Sequence, residues 1–593
     1  MATALMSVSA KKDEQLMAVM AVLWILGSMA MLGPVGLVAA TIVFVAAMLF
    51  GLHVIGGIII SATGAGLGFA LWRSHGWFSE PLHAMAEIYR DYLFAGFRWD
   101  TEGLLQLFRQ MIWHRPAWSF FAPLGIAAGG LYWTAWTLFT KSPLKQVAHG
   151  RAASKRSISL RARFRRFLAN RRPAAIEGGS LIGVDQTNGK PVHLTDADAK
   201  QHTLVLGTIG SGKTVAILNV VESAIQRQLP MVYVDGKGDY ALAQRVIDYA
   251  TARGRPTYLF AMNGDSCLYN PLADGGFSSK KDRIIGLREW SEDHYLKLAE
   301  GYMQTVFKVL DACDIHTDLA SASGYMSTAR LEKLIKGKRP RLNNHKELLS
   351  EVSDQKQAEK EDIESLRGEL RTLARSEIGH LFDTANAGPD RQVLELLRAV
   401  EERAVVYFCL PALQFPAFAK TLGKLVINDL KATAADRLPK DERSQVPLYT
   451  VFDEFSVFAG DQVLNLINMG RSVGVRAVLA TQSVADIGRA VADTPDHFTR
   501  QVFGSCNSYV IHRLNAAEDA MSVVDTIGTE DRIEHTAQVD HIGSTGLGSV
   551  RRTKGFIIHA DTIKNQPMGQ AVFVNKNRGN SVQRILVRKG EIV

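Results

Sequence analysis

The octapeptide "GTIGSGKT", from Gly207 to Thr214, has the spacing of a loop that binds nucleotide phosphates. In such a loop the glycines let backbone N–H groups converge on phosphate oxygens, a lysine neutralises the β- and γ-phosphates, and a hydroxyl binds magnesium. An apolar run precedes the loop and a helix-forming run follows it, which is the context that this chemistry requires. The candidate phosphate-binding residues are Gly207, Thr208, Gly210, Ser211, Gly212, Lys213 and Thr214, and Thr214 is also a candidate Mg²⁺ ligand.

A pair of adjacent acids stands at the end of another apolar run, "LYTVFDEF". A phosphate-binding loop needs a carboxylate at the end of a neighbouring strand, and Asp453 is the candidate metal ligand. Glu454 is the candidate for polarising the attacking water, so the pair favours an ATPase that does work through hydrolysis. A surface turn with two acids is the alternative, and the apolar strand before the pair weighs against it. ATP and Mg²⁺ are therefore predicted to bind.

Further polar residues flank the neighbouring apolar runs. The segment "NMGRSVGV" places Arg471 before a strand, and "LATQS" places Gln482 after it. Gln482 is a candidate sensor of the γ-phosphate, and Arg471 is a candidate for stabilising charge on the phosphoryl group of an adjoining subunit. Asp235, Lys237 and Asp239 in "VYVDGKGD" are secondary candidates, with a plain Gly-rich turn as the equal alternative.

Short, continuous apolar runs alternate with helical stretches beyond the first third of the chain. Continuous hydrophobicity is typical of parallel strands that are covered on both faces. The predicted strands are "TLVLG", "MVYVD", "TYLF", "AVVYFCL", "LYTVFD" and "RAVLAT", with helices over 215–228, 415–437 and 462–471 between several of them. This pattern predicts an α/β domain with right-handed crossovers.

The interval 277–388 interrupts that alternation, because it holds helical, charge-rich stretches such as 354–376 and no convincing strand. We therefore predict an all-helical domain inserted between two strands. Solvated surface helices without a binding role are the alternative. The nucleotide-binding α/β domain is then predicted to comprise 176–276 and 389–593.

The N-terminal region has the composition of a membrane anchor. From Gln15 to Trp72 there are 58 residues without Asp, Glu, Lys or Arg. Because a hydrocarbon core needs about 20 apolar residues in a helix, this length suits two spans. The uncharged run 116–140 is a third candidate, with an interfacial amphipathic helix as its competitor. Residues 1–140 are predicted to hold two to three spans with a periplasmic loop at about 73–115.

A basic juxtamembrane linker is predicted at 141–175. Lys141 to Arg172 carry eleven Lys or Arg and no acid, and such clusters lie on the cytoplasmic side of a membrane. Since the net charge of the whole chain is +9, the rest of the chain is slightly acidic. The basicity is therefore a local feature, and anionic lipid is favoured over DNA as its partner.

The four cysteines are scattered and form no Cys-x-x-Cys pair. Their spacing argues against a zinc site and against a disulfide framework. They are predicted to be reduced, with Cys409 in the core.

The motifs "HTLVLGTIGSGKT", "YVDGKGD", "VFDEF", "GRSVGV" and "LATQS" occur in this order, with the helical insertion after the second. They resemble those of the coupling ATPases of conjugation and type IV secretion, of the TraD and TrwB type. The IcmO/DotL and TrbC branch is especially similar, and the resemblance covers 202–574.

That resemblance implies a RecA-like P-loop motor domain with an inserted all-alpha domain and an N-terminal helical transmembrane region. It also implies a homo-hexamer in the bacterial inner membrane, with several spans, beside a type IV secretion channel, and with the motor domain in the cytoplasm. By motif, it assigns the phosphate and magnesium roles to Lys213 and Thr214, the metal and hydrolytic roles to Asp453 and Glu454, the sensor role to Gln482 and the trans-acting role to Arg471.

The leading hypothesis is a coupling ATPase that recruits relaxase-bound DNA to the channel and drives conjugative transfer. Its expected partners are the relaxosome, DNA, channel components and inner-membrane lipids. A coupling ATPase for protein effectors is the close alternative. Family members of that kind often carry a long C-terminal tail, and the end of this sequence at Val593 favours DNA. A non-hydrolysing membrane receptor that binds nucleotide to assemble is the third hypothesis.

Overall fold

The computed structural model of the protein describes residues 39–46, 54–74, 115–140 and 160–593. Short gaps in the last range fall at 263, 289, 291, 339–341, 357–362, 438–445, 490–494 and 540–543. The chain forms two compact units, Met1–Phe164 and Arg165–Val593. The predicted periplasmic loop and most of the predicted basic linker lie outside the described residues.

Two helices form most of the described part of the first unit, α1 (Val54–Ser74) and α2 (Arg115–Thr140). Their backbones approach closely, since a Cβ built on Gly130 would lie 2.7 Å from the carbonyl oxygen of Gly57. Ser61 Oγ donates to the carbonyl oxygen of Ala127 at 3.1 Å. Small residues allow such close helix packing. In the part of the chain that was described, no helix has the length and apolarity to cross a membrane, so the spans stay a prediction.

The second unit contains a large mixed sheet and two small two-stranded sheets. The strands of its described part are β1 (Ala175–Ile176), β2 (Gly179–Asp185), β3 (Pro191–Thr195), β4 (Thr203–Leu206), β5 (Met231–Asp235), β6 (Thr257–Ala261), β7 (Leu268–Tyr269), β8 (Val393–Leu394), β9 (Val405–Cys409), β10 (Leu448–Asp453), β11 (Val475–Thr481), β12 (Ser508–Ile511), β13 (Thr529–Val539), β14 (Ser544–Phe556), β15 (Gln570–Asn575) and β16 (Ser581–Val587).

The helices that accompany these strands are α3 (Leu160–Asn170), α4 (Asp196–Ala199), α5 (Lys213–Gln226), α6 (Tyr240–Thr251), α7 (Phe277–Ile285), α8 (Asp293–Ala312), α9 (Leu319–Gly324), α10 (Thr328–Lys338), α11 (His345–Asp354), α12 (Glu364–Arg375), α13 (Leu396–Glu401), α14 (Pro416–Ala435), α15 (Asp461–Gly470), α16 (Val484–Arg489), α17 (Pro495–Ser505), α18 (Ala517–Ile527) and α19 (Ala560–Lys564).

The large sheet has the order β1-β2-β16-β15-β12-β4-β11-β10-β5-β9-β6, with β3 paired to β2. From β12 to β6 all neighbours are parallel, whereas the strands from β15 to β1 pair antiparallel. The six predicted strands are β4, β5, β6, β9, β10 and β11. The predicted α/β fold is thus confirmed. The antiparallel half of the sheet was not predicted, and it adds further strands beside β12.

Both faces of the parallel half are buried. Val232 and Val234 pack into the core on one face of the sheet, and Met231 and Tyr233 pack into the core on the other. Because successive side chains of a strand point to opposite faces, a strand covered on both sides is apolar at every position. This burial explains the continuous apolar runs in the sequence.

The described residues between β7 and β8 form α7 to α12 and the intervening turns, with no strand among them. This helical segment shares one hydrophobic core with the sheet. The ring centroid of Phe382, at the end of the segment, lies 5.5 Å from that of Phe260 on β6. The ring centroid of Phe260 lies 5.8 Å from that of Phe408 on β9. The exact limits of an inserted domain at 277–388 stay a prediction.

A buried ion pair joins the last strand to helix α5. Arg588, directly after β16, is fully buried and donates to both carboxylate oxygens of Glu222, at 2.8 and 3.1 Å. The same guanidinium bonds Asn219 Oδ1 on α5 and the backbone carbonyls of Ala169 and Arg172 near the end of α3. One side chain therefore holds the C-terminal strand, α3 and α5 together.

We expect Glu222→Gln to lower the free energy of unfolding by about 3–5 kcal/mol, because it leaves the buried charge of Arg588 without a counter-charge. Denaturant titration of the full chain measures this loss. The matched control is Glu591→Gln, which removes the half-exposed partner of Arg253 and should cost less than about 1 kcal/mol. Equal losses in the two variants would contradict the role of the buried pair.

Candidate functional site

The candidate phosphate-binding loop, Gly207 to Thr214, follows β4 and leads into α5 at the carboxyl edge of the parallel strands. Gly207 packs so tightly that a Cβ there would lie 2.6 Å from both His512 Cβ and Ser211 Oγ. Glycine is therefore required at this position by the close approach of the neighbouring segment. Helix α5 begins at Lys213, so its free backbone N–H groups and the positive end of its dipole lie at the loop.

Lys213 and Glu454 are in direct contact across the site. Lys213 Nζ lies 2.9 Å from Glu454 Oε1, and both side chains are largely buried. The structure thus brings the predicted phosphate-binding lysine and the predicted hydrolytic glutamate together, although they are far apart in the chain. Glu454 has a left-handed backbone conformation with φ of 54°, which is uncommon for a residue other than glycine. Such strain is often found at functional sites.

Asp453 is buried at the end of β10. Its carboxylate accepts hydrogen bonds from Tyr233 OH and from the backbone N–H of Glu454, each at 3.1 Å. Burial raises the pKa of Asp453 to about 6, and the nearby charge of Lys213 acts in the opposite direction. A carboxylate held in this way is a suitable oxygen ligand for Mg²⁺.

The secondary candidates on the next strand are mainly structural. Asp235 accepts hydrogen bonds from the backbone N–H groups of Lys237 and Asp239, each at 2.8 Å, and from Tyr407 OH at 3.1 Å. Asp239 caps α6 by accepting from the N–H of Leu242. Burial raises the pKa of Asp235. These internal hydrogen bonds are sufficient to explain the Gly-rich turn, and no bound ligand is needed to explain it. The side chain of Lys237 is exposed.

Two tyrosines beneath the site were missed by the sequence interpretation. Tyr233 and Tyr407 stack with their ring centroids 4.5 Å apart, and their hydroxyls bond Asp453 and Asp235 respectively. In the sequence both lie inside apolar runs and look like ordinary core residues. Only the pairing of β5 with β9 and β10 shows that their hydroxyls support two carboxylates.

Gln482 follows β11, which lies between β4 and β10 in the sheet. The N–H of Gly207 bonds the carbonyl oxygen of Thr481 at 3.3 Å, so the end of β11 lies beside the phosphate-binding loop. Gln482 is half-buried there. The hydroxyls of Ser211 and Thr481 are buried and have no hydrogen-bond partner within the described residues. Unpaired buried hydroxyls at this edge fit a polar ligand such as a phosphate.

Arg471 lies at the opposite edge of the sheet from the phosphate-binding loop. It precedes β11, and the seven residues of that strand span roughly 23 Å. Arg471 is exposed. The structure therefore does not bring Arg471 to the candidate nucleotide site of its own chain. Its predicted action on an adjoining subunit stays a prediction.

His202, just before β4, is hydrogen-bonded to the residues on either side of the segment that carries Arg471. Its Nδ1 accepts from the N–H of Ala477 at 3.1 Å, so Nε2 carries the proton and donates to the carbonyl oxygen of Ile467 at 2.6 Å. Burial lowers the pKa of His202 to about 4, which keeps the ring neutral at neutral pH. This contact was not anticipated from the sequence.

Two models of protein families match the chain across this site. One, described as the TraM recognition site of TraD and TraG, matches residues 447–568, and the other, a type IV secretion-system coupling protein DNA-binding domain, matches residues 190–258. The type 4 coupling protein DotL of Legionella pneumophila is 23% identical over 383 residues. The chain is a relative of the type IV coupling proteins. The relationship predicted from its motifs is thus confirmed.

The alignment with DotL covers 54% of this chain and 48% of DotL, so the chain spans about half the length of that coupling protein. Among solved structures, the conjugative coupling protein TrwB lacking its first 70 residues has a TM-score of 0.48 at 13% identity, over 69% of this chain and 88% of TrwB. VirB4 of Thermoanaerobacter pseudethanolicus has a TM-score of 0.43 at 13% identity, over 70% of this chain and 97% of VirB4.

Proposed function

We propose that this protein is a coupling ATPase of a type IV secretion or conjugation system, which uses ATP hydrolysis to drive relaxase-bound DNA into the channel. The observation that carries the proposal is the contact between Lys213 and Glu454. It joins a phosphate-binding loop to a hydrolytic acid pair across two strand pairings, β4 with β11 and β11 with β10. The relationship to coupling proteins supports the same reading of the site.

The residues of the site have complementary roles in the proposed reaction. The loop N–H groups and Lys213 bind the β- and γ-phosphates, and Thr214 and Asp453 would hold Mg²⁺. Bound between Thr214 and Asp453, Mg²⁺ would supply positive charge that offsets the negative charge developing on the transferred phosphoryl group. As phosphate oxygens replace the carboxylate beside Lys213, Glu454 is released to polarise the attacking water. Gln482, at the end of the intervening strand, contacts the γ-phosphate and reports its loss.

DNA is the proposed cargo because the family model that matches residues 190–258 is described as a DNA-binding domain of coupling proteins. The matched range includes the candidate phosphate-binding loop. The proposed partners are a relaxosome and the components of a secretion channel. A coupling ATPase for protein effectors would use the same phosphate chemistry, and the turnover measurement below separates the two cargoes.

Lys213→Ala should abolish nucleotide binding, because it removes the only side-chain cation that the loop itself provides. Glu454→Gln should bind ATP at least as tightly as the wild type, since Lys213 no longer has a competing carboxylate. Its turnover should fall by about 10²–10⁴-fold, the usual effect of losing a general base. Titration with a fluorescent ATP analogue and phosphate release measure the two quantities.

Glu518→Gln, an exposed acid on α18, is the matched control and should leave turnover unchanged. Strong stimulation of wild-type turnover by single- or double-stranded DNA supports the DNA motor. If ATP turnover is unchanged by DNA and is stimulated by a secreted protein, the protein is a coupling ATPase for effectors and not a DNA motor. Undiminished transfer by Glu454→Gln would favour the non-hydrolysing receptor.

We further propose that the protein acts as a homo-hexameric ring in which Arg471 faces the nucleotide of the next subunit. Arg471→Ala should then reduce turnover about a thousand-fold or more while ATP affinity changes little. Mixing Arg471→Ala with Lys213→Ala subunits should restore part of the turnover, because some interfaces then combine an intact arginine with an intact loop. Arg500→Ala, on the exposed side of α17, is the control. Mixed rings without any recovery would exclude action between subunits.

We propose that the N-terminal region anchors the protein in the bacterial inner membrane, with the α/β unit in the cytoplasm. The support is the run of 58 residues without a charged side chain at 15–72, together with the eleven basic residues within 141–172. Close glycine-mediated packing of α1 on α2 is also typical of helices in membranes. The full chain should remain in the membrane pellet after alkaline carbonate extraction, whereas release into the supernatant would contradict the anchor.

A further inference from the structure

Arg166 on α3 reaches the C-terminal strands at the point where they approach the phosphate-binding loop. Its Nε donates to the carbonyl oxygen of Val587, the last residue of β16, at 2.9 Å. One of its terminal nitrogens lies against Gly569, because a Cβ built on that glycine would be 3.1 Å away from it. The guanidinium is half-buried, and burial lowers its pKa without removing its charge at neutral pH.

Gly569 is in turn bonded to the phosphate-binding loop. Its backbone N–H donates to the carbonyl oxygen of Ser211 at 3.1 Å, and its own carbonyl accepts from the N–H of Val587 at 3.0 Å. Gly212 packs on the same residue, since a Cβ there would lie 3.2 Å from the nitrogen of Gly569. A continuous set of contacts thus leads to the loop, through Arg166, Val587, Gly569 and Ser211.

The orientation of the peptide after Ser211 matters for phosphate binding. A loop of this kind works by holding several N–H groups towards one point, and its glycines make the free loop conformationally permissive. A hydrogen bond that fixes the outward carbonyl of Ser211 also fixes the N–H of Gly212 on the other side of that planar peptide. Preorganisation of this kind raises affinity by lowering the entropy lost on binding.

We propose that Arg166 is a positioning residue for the phosphate-binding loop, which it orients through Gly569. This inference rests on the proposed binding of nucleotide at the loop. It gives α3 a role in nucleotide binding although no residue of α3 belongs to the loop or to the acid pair. The ligand concerned is a nucleoside di- or triphosphate, because the peptide that is fixed lies among the N–H groups that face the phosphates.

Gly569 is the second residue that this proposal singles out. Its φ of +76° is a conformation that residues with a side chain rarely adopt, and the 3.1 Å approach of Arg166 leaves little space for a Cβ. Alanine at position 569 should therefore shift both the guanidinium and the N–H that bonds Ser211. The two residues should act on the loop as a coupled pair.

The test uses the full chain and a fluorescent ADP analogue. We expect Arg166→Ala to weaken ADP binding about 10-fold, the usual effect of losing hydrogen bonds to a charged group. KM for ATP should rise by a similar factor with a smaller change in kcat. Arg166→Lys keeps one charged donor and should recover part of the affinity. Arg163→Ala, an exposed arginine on the same helix, should bind ADP like the wild type.

Thermal melting separates positioning from folding, because Arg166→Ala should melt within a few degrees of Arg163→Ala. A double-mutant cycle with Gly569→Ala should show that the two changes together weaken ADP binding less than the product of their separate effects. The proposal is overturned if Arg166→Ala binds ADP as tightly as Arg163→Ala, or if the two effects multiply. Failure of the proposed function has a different signature, in which the wild type binds ADP no better than Lys213→Ala.

Discussion

The parallel register of β4, β11 and β10 is the constraint on which the rest of the site depends. Leu206 pairs with Thr481, and Asp453 pairs with Ala480, so the three strands end together at one edge of the sheet. That common edge brings Lys213, at the end of the loop after β4, within hydrogen-bond distance of Glu454, which follows β10. The ion pair between Lys213 and Glu454 is the direct result, and a shift of one residue in either pairing would turn the functional side chains to the other face.

The buried carboxylates at this edge of the sheet accept hydrogen bonds from tyrosines on neighbouring strands. Asp453 receives its second hydrogen bond from Tyr233, and the stacked ring of Tyr407 continues the support to Asp235. A buried carboxylate without such partners would be costly, because burial disfavours its charged form. The tyrosine hydroxyls therefore help two acids to occupy the buried ends of strands that are mostly apolar.

The C-terminal strands close the structure around the helix that follows the loop. Arg588 bonds Glu222 inside the protein, while Gly569 bonds the loop itself. Residues 569–588 thus contact both the segment around the end of α3 and the candidate phosphate-binding loop.

The amino-acid sequence alone predicts the glycine-rich loop, the acid pair and the continuous apolar strands, because each of these depends on residue types at short spacing. It also determined the relationship to coupling proteins, since the motifs that carry it are local and ordered. Tertiary packing brings Lys213 to Glu454 and Tyr233 to Asp453, and it leaves Arg471 and His202 at the far edge of the sheet. It also brings Arg588 to Glu222 and Arg166 to Val587. Those contacts join residues up to 421 positions apart. Strand order and packing determine which of these residues meet, and they leave no short-range pattern in the sequence.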